Sequence, residues 1–162
     1  MRESLQAYCL RTGKTNLLHE WADDLNEGQM PEDVSAASGK RIWWRCPLGH
    51  TWQAVIYSRS KSKNGCPYCS NHSVWPGYND LASRAPEIAA QWYQPLNGEK
   101  TPETVLMSSH FKAVWRCPEG HFWRTEVHVR TVLGCGCPAC VRQFKRALRR
   151  PNTEEAAGKN KE

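Results

Sequence analysis

A cysteine–histidine pattern that occurs twice at one fixed spacing constrains this chain more than any other feature. Cys46, His50, Cys66 and Cys69 recur 71 residues later as Cys117, His121, Cys137 and Cys140. Each set offers three thiolates and one imidazole, the donor number and chemistry of a closed tetrahedral zinc site. Four protein ligands leave no position for water, so such a metal is structural rather than catalytic. Iron is the chief competing metal, and the histidine in each set favours zinc.

The same offset reaches well beyond the ligands. Over residues 21–69 it gives 19 identical pairs without a gap, among them Trp21/Trp92, Leu25/Leu96, Pro31/Pro102, Trp44/Trp115, Trp52/Trp123 and Arg59/Arg130. Two unrelated cysteine clusters would not hold tryptophans and prolines in one register. The chain therefore reads as two copies of one module. The expected boundaries are 1–75 for the first module, 76–150 for the second with a basic helix at its end, and 151–162 for a disordered tail. Each module is too small to rest comfortably on an apolar core alone. Metal binding supplies the difference, because a site absent from the unfolded chain turns binding energy into folding energy.

Charge is distributed unevenly along the 162 residues. The formal net charge is +6, yet residues 34–75 carry six bases and no acid, and residues 109–150 carry nine bases against two acids. The segments leading into each core are acidic. Two zinc ions bound by six thiolates lower the net charge to +4, and the cores stay basic, which favours a polyanionic partner. No apolar run is long enough to span a bilayer, and the first residues contain no apolar signal segment. Metal ligation in a reducing cytoplasm is the expected state of most of the eight cysteines. Cys9 and Cys135 have no cysteine counterpart in the other copy and read as free thiols, with Cys135 placed to substitute for a damaged ligand.

Each copy reads as a helical lead-in, a strand–knuckle–strand hairpin and a second cysteine knuckle, which makes a small α+β module. Asn79-Asp80-Leu81-Ala82 is a capped helix start, and Pro86 fits an early helical position ahead of Ile88, Ala89 and Trp92. Leu17, Leu18 and Trp21 are their counterparts. Residues 26–38 and 97–109 read as mostly extended loops. The strands are expected over Ile42–Arg45 with Trp52–Ile56, and Ala113–Arg116 with Trp123–Val129, where apolar and polar residues alternate. Val141–Arg150 has helical spacing, with Val141, Phe144 and Leu148 on one side and Arg142, Lys145, Arg146, Arg149 and Arg150 on the other. Residues 70–77 read as a linker.

With these residues in place, the chain resembles the probable zinc-ribbon family found as tandem modules in bacterial and phage proteins. The motif is carried by Asn79–Ala82, Pro86, Trp92, Trp115-Arg116-Cys117, Gly120-His121, Trp123, Arg130 and Gly136–Cys140. The first copy carries the same core from Trp44 to Cys69, but matches poorly around Tyr8-Cys9-Leu10. The resemblance implies a treble-clef or zinc-ribbon fold and no defined activity. It also implies an accessory role, since such modules accompany nuclease-type domains in mobile elements.

The repeated tryptophans are expected in the cores, with Trp43 and Trp75 as candidates for an exposed contact surface. Arg45 and Arg116, next to the first ligand, are expected to support thiolate charge. The leading functional expectation is a non-enzymatic, zinc-stabilised nucleic-acid-binding protein, for DNA in preference to RNA. Lys40, Arg41, Arg59, Lys61, Lys63, Arg130, Arg142, Lys145, Arg146, Arg149 and Arg150 would meet phosphates. Arg59 and Arg130 have a plainer alternative, pairing with a loop carboxylate. The competing function is a protein-interaction adaptor within a larger assembly, with Asp23, Asp24, Glu27, Glu32 and Asp33 addressing a basic partner. A metal-dependent nuclease is the third reading. Once the eight zinc ligands are set aside, the sequence offers no convincing catalytic set for it, and His19, His72, His110 and His128 are given no role.

Overall fold

The computed structural model describes residues 3–62 and 64–149. Lys63, Arg150 and the tail expected to be disordered lie outside the described residues. The chain divides into two compact units, Met1–Ser73 and Val74–Glu162.

Each unit is built around one two-stranded antiparallel hairpin. In the first, β1 (Arg41–Arg45) pairs with β2 (Thr51–Val55), setting Trp44 opposite Trp52. In the second, β3 (Lys112–Arg116) pairs with β4 (Phe122–Glu126), setting Trp115 opposite Trp123. The hairpin loops are the first ligand knuckles. Helix α1 (Leu5–Thr12) and α2 (Asn16–His19) precede the first hairpin, and α3 (Ile56–Lys61) follows it. In the second unit the corresponding pieces are α4 (Leu81–Arg84), α5 (Pro86–Ala89) and α6 (Val127–Thr131), with α7 (Pro138–Leu148) at the end.

The expected strand Trp123–Val129 is shorter in the structure, because the chain turns into α6 at Val127. Ile56 makes the same turn into α3. Alternation along Val127, His128 and Val129 is a strand signal that tertiary packing overrides. A helical turn puts Val127 and Arg130 on one side, and both are buried; Ile56 and Arg59 repeat this.

A two-stranded hairpin leaves both outer edges unpaired, and alone it is marginally stable. Here an asparagine side chain completes one edge of each. Asn26 donates through Nδ2 to the Trp43 carbonyl at 2.9 Å and accepts from the Trp43 N–H at 2.8 Å. Asn97 does the same for Val114, at 3.0 and 2.7 Å. Beside it, Arg45 N–H donates to Glu20 O at 2.6 Å and Arg116 N–H to Gln91 O at 2.7 Å.

The tryptophans fill the cores as expected. Trp44 and Trp115 are fully buried, and each meets the lead-in tryptophan edge to face, with Trp21 at 5.7 Å and Trp92 at 5.4 Å. Trp43 and Trp75 are half-buried.

The poor match at the start of the first copy has a geometric cause. Leu5 N–H donates to Val34 O, and Leu81 N–H donates to Val105 O. Leu5 therefore stands where Leu81 stands, an offset of 76 instead of 71: the first unit holds five more residues between this anchor and the hairpin. Ser4 is the counterpart of Asp80, and each caps its helix by accepting a backbone N–H three residues on. Cys9 is buried within α1.

Candidate metal centres

The hairpin and the second knuckle bring each ligand set together. Cys46 follows β1 and His50 precedes β2. Cys46 N–H donates to His50 O and Gly49 N–H to Cys46 O, which closes the turn on itself. This turn needs Gly49 at φ 83°, a left-handed conformation that suits glycine, and Gly120 repeats it at φ 81°. Cys137 is the N-cap residue of α7, with Pro138 at the first helical position and Cys140 in the first turn. In the first unit the chain makes one helical turn after Cys66, then stops at Asn71, which adopts φ 55°.

The separations test the fit to zinc. A tetrahedral ion with Zn–S of about 2.3 Å and Zn–N of about 2.05 Å holds sulfurs about 3.8 Å apart and sulfur from nitrogen about 3.5 Å. Cys46 Sγ and Cys69 Sγ are 3.7 Å apart, and His50 Nδ1 lies 3.5, 3.8 and 3.4 Å from the sulfurs of Cys46, Cys66 and Cys69. Cys117 Sγ and Cys140 Sγ are 3.7 Å apart, and His121 Nδ1 lies 3.4 Å from each. Both quartets therefore fit zinc, and both present Nδ1, a choice of nitrogen that the sequence does not disclose. Zinc supplies a structural cross-link between hairpin and second knuckle when bound. Cys135 lies outside the cluster that Cys117, His121, Cys137 and Cys140 form.

The thiols show why the quartets need a cation. Burial, then the hydrogen bonds and charge of Cys66 and Cys46, push Cys69 up to about 12. Burial and the neighbouring Cys137 and Cys117 do the same to Cys140, also to about 12. Burial opposes ionisation at Cys46, yet backbone N–H groups of Leu48 and His50 hold that thiol below its ordinary value. N–H groups of Cys140 and Ala139 act likewise on Cys137 against its burial. Three thiolates without a metal repel one another, and a divalent cation removes that cost.

A family model described as a probable treble clef zinc finger domain matches the chain twice, over residues 17–72 and 88–143. The chain belongs to that family. It is a tandem pair of treble clef modules, with zinc held in each by three cysteines and one histidine. The first match begins at residue 17, so α1 precedes it. No curated protein matches the chain.

The treble clef frame also sorts the arginines and lysines expected at phosphates. Arg59 and Arg130 are corrections: they are 3% and 7% exposed, and their guanidinium groups are enclosed. Arg59 lies over the rings of Trp44 and Trp52, pairs with Glu20 and donates to Asn64 O. Arg130 lies over Trp115 and Trp123 and donates to Gln91 Oε1 and Cys135 O, each at 2.7 Å. Burial holds both guanidinium groups below their ordinary value, opposed by the charges of Glu20 and Cys66 at Arg59 and of Cys137 and Cys135 at Arg130. A zinc with three thiolates carries net −1; Arg130 is a counter-charge to it, while Arg59 divides its charge between the Cys66 thiolate and the Glu20 carboxylate. Arg45 and Arg116 were expected in that role, but Arg45 pairs with Asp24 at 2.7 Å and Arg116 lies over Phe122.

Lys40, Arg41 and Lys61 are exposed, with Lys61 Nζ over the Tyr8 ring. Arg142, Lys145 and Arg146 on α7 and Arg149 at its C-cap are all exposed. The apolar side of α7 is exposed as well: Val141, Phe144 and Leu148 are 43%, 66% and 71% accessible. The structure also brings together a group that the sequence left without a role, His110, Glu126 and His128. Glu126 and His128 are two residues apart, but nothing in the sequence indicates that His110 joins them.

Proposed function

We propose that this tandem treble clef protein is a non-catalytic nucleic-acid-binding protein of the cytoplasm, directed at duplex DNA. The observation that supports this reading is helix α7. Residues 138–149 contain no acid, and Arg142, Lys145, Arg146 and Arg149 fall within an arc of about 100° at the α-helical spacing. A helix with one cationic face suits the wide major groove of B-DNA, whereas the major groove of A-form RNA is too deep and narrow for side chains to read. Lys40, Arg41 and Lys61 add charge on the first module. The two knuckle sites offer zinc no open position, which favours a structural role for those ions. Thiolate ligation suits a reducing compartment; among the described residues no helix is long and apolar enough to cross a membrane. An accessory place beside a mobile-element nuclease is the biological setting that the family resemblance suggests.

Fluorescence anisotropy of the zinc-loaded chain against duplex DNA, single-stranded DNA and RNA over a salt series tests this. Changing Arg142, Lys145, Arg146 and Arg149 together to alanine is expected to lower the slope of log K against log salt by about 3 to 4. Salt-insensitive binding, or a slope unchanged in that variant, refutes the assignment of α7.

A second reading has one observation in its favour. The exposed stripe of Val141, Phe144 and Leu148 is the kind of surface a protein partner covers. A complex that survives nuclease treatment and is lost on Phe144→Asp would support an adaptor instead.

A further inference from the structure

We infer that the second module carries a third metal site, a Zn2+ site made by His110, Glu126 and His128 at the end of the hairpin away from the cysteine knuckle. Glu126 Oε2 lies 2.9 Å from His110 Nδ1 and 3.2 Å from His128 Nδ1, and the two imidazole centroids are 4.4 Å apart. Two nitrogens and one carboxylate oxygen are a recognised zinc donor set, with remaining positions open to water. Donors about 2.1 Å from an ion stand about 3.0 Å apart at a right angle and about 3.4 Å apart at the tetrahedral angle. The His128 separation falls within that interval and the His110 separation lies about 0.1 Å below it.

The backbone explains why these three meet. Past the paired strands, Val127 N–H donates to Phe111 O at 3.1 Å and His128 N–H to Ser109 O at 3.0 Å. The residue between those two carbonyl-bearing positions is His110, which is thereby fixed beside His128. Glu126 is the last residue of β4 and the N-cap of α6, but its side chain makes no capping hydrogen bond and turns to the histidines instead.

His110 Nδ1 is hydrogen-bonded to Glu126 Oε2, and it is the contact at His128 that points beyond a simple ion pair. Its Nδ1 is buried and makes no hydrogen bond of acceptable geometry, although Oε2 is 3.2 Å away. A proton shared between the two would line up with the acceptor. Donors that converge on a common third point do not line up with each other. Both knuckle histidines also present Nδ1 to their ligand sets, and ligation through Nδ1 at the third site needs the neutral tautomer with its proton on Nε2.

The first module shows that the site is an addition and not part of the fold. It has the same two backbone bonds, Ile56 N–H to Lys40 O and Tyr57 N–H to Ser38 O, but Gly39, Val55 and Tyr57 stand where His110, Glu126 and His128 stand. Lys112 pairs across the hairpin with Glu126 and opposes the cation. With no thiolate and one ligand largely exposed, the third zinc is the weakest and most exchangeable of the three.

Calorimetric titration of the full chain, already holding two zinc ions, with further Zn2+ tests the site. One additional equivalent is expected for the parent, and none for His110→Ala, Glu126→Gln and His128→Ala, each of which keeps its two knuckle zincs. His110→Ala guards against misfolding, because that side chain is 80% exposed. Glu126→Gln can retain a hydrogen bond to His110 while losing the carboxylate charge. An absent third equivalent in the parent overturns the proposal, and so does a third equivalent that persists in His110→Ala and Glu126→Gln.

Discussion

Arg59 is ion-paired with Glu20, and in the equivalent place of the second module Arg130 is hydrogen-bonded to the neutral Gln91. Each guanidinium is enclosed between two tryptophans and next to a thiolate ligand, where desolvation opposes its charge. Removing either arginine leaves the neighbouring charges uncompensated, so Arg59→Ala and Arg130→Ala are each expected to destabilise their module by about 3 kcal/mol or more. Glu20→Gln recreates the arrangement of the second module and is expected to cost only about 1 kcal/mol. Urea unfolding of the zinc-loaded chain, followed by tryptophan fluorescence, checks the order of these effects.

Each metal is expected to support its own module. Cys66→Ser and Cys137→Ser should each lower the zinc content of the knuckle sites from two to one and unfold one unit while the other persists. The loss is expected to reach about 10 kcal/mol of apparent binding energy per site at neutral pH. Metal analysis combined with amide hydrogen exchange distinguishes this from collapse of the whole chain.

Zinc binding should release protons. With no metal, Cys69 and Cys140 ionise only at about 12, so each holds its proton at neutral pH and must lose it to ligate. Knuckle-site affinity therefore rises with pH and falls in acid. Titrations in buffers of different ionisation enthalpy should report at least one proton released per knuckle zinc.

Asp80 gives a second, separate pH signature. Burial opposes its charge, yet the Ser83 hydroxyl and the N–H groups of Ser83 and Gly77 hold its carboxyl below the usual range. A depressed native value means that the contribution is present above the unfolded value of about 3.9 and lost as pH falls through the native one. Asp80→Ala is thus expected to cost the second module about 1 to 2 kcal/mol, by the same amount at pH 8 and at pH 6. Thermal unfolding at those two pH values measures it.

Asn26→Ala and Asn97→Ala each strip a donor and an acceptor from a strand edge. Both are expected to destabilise by about 2 kcal/mol, with the larger effect at Asn97, whose two bonds are buried. Phe144→Ala provides the contrast, since its ring is exposed and the stability change should stay within about 0.5 kcal/mol. Equal losses for Asn97→Ala and Phe144→Ala would contradict the account of both sites.

The sequence alone was sufficient for the two modules, the eight knuckle ligands, the zinc and the tryptophan cores. These are properties of spacing and residue chemistry: a ligand set recurs at one offset, and a small module must place its largest apolar side chains next to its metal. The register shift at the start of the first copy was hidden because a constant offset cannot register an insertion of five residues. The end of β4 was hidden because Val127, His128 and Val129 alternate as a strand would.

What only the tertiary structure decided is the fate of polar groups whose partners lie far along the chain. Arg59 and Arg130 read either as phosphate contacts or as partners of a loop carboxylate, and only folding shows that Glu20 and Gln91, 39 residues earlier, receive them. His110 joins Glu126 and His128 across 16 and 18 residues through backbone bonds that carry no residue signature. Metal ligands announce themselves because their chemistry is rare and their spacing fixed. A charged side chain takes its role from the dielectric and the neighbours that folding brings to it, and those belong to the structure.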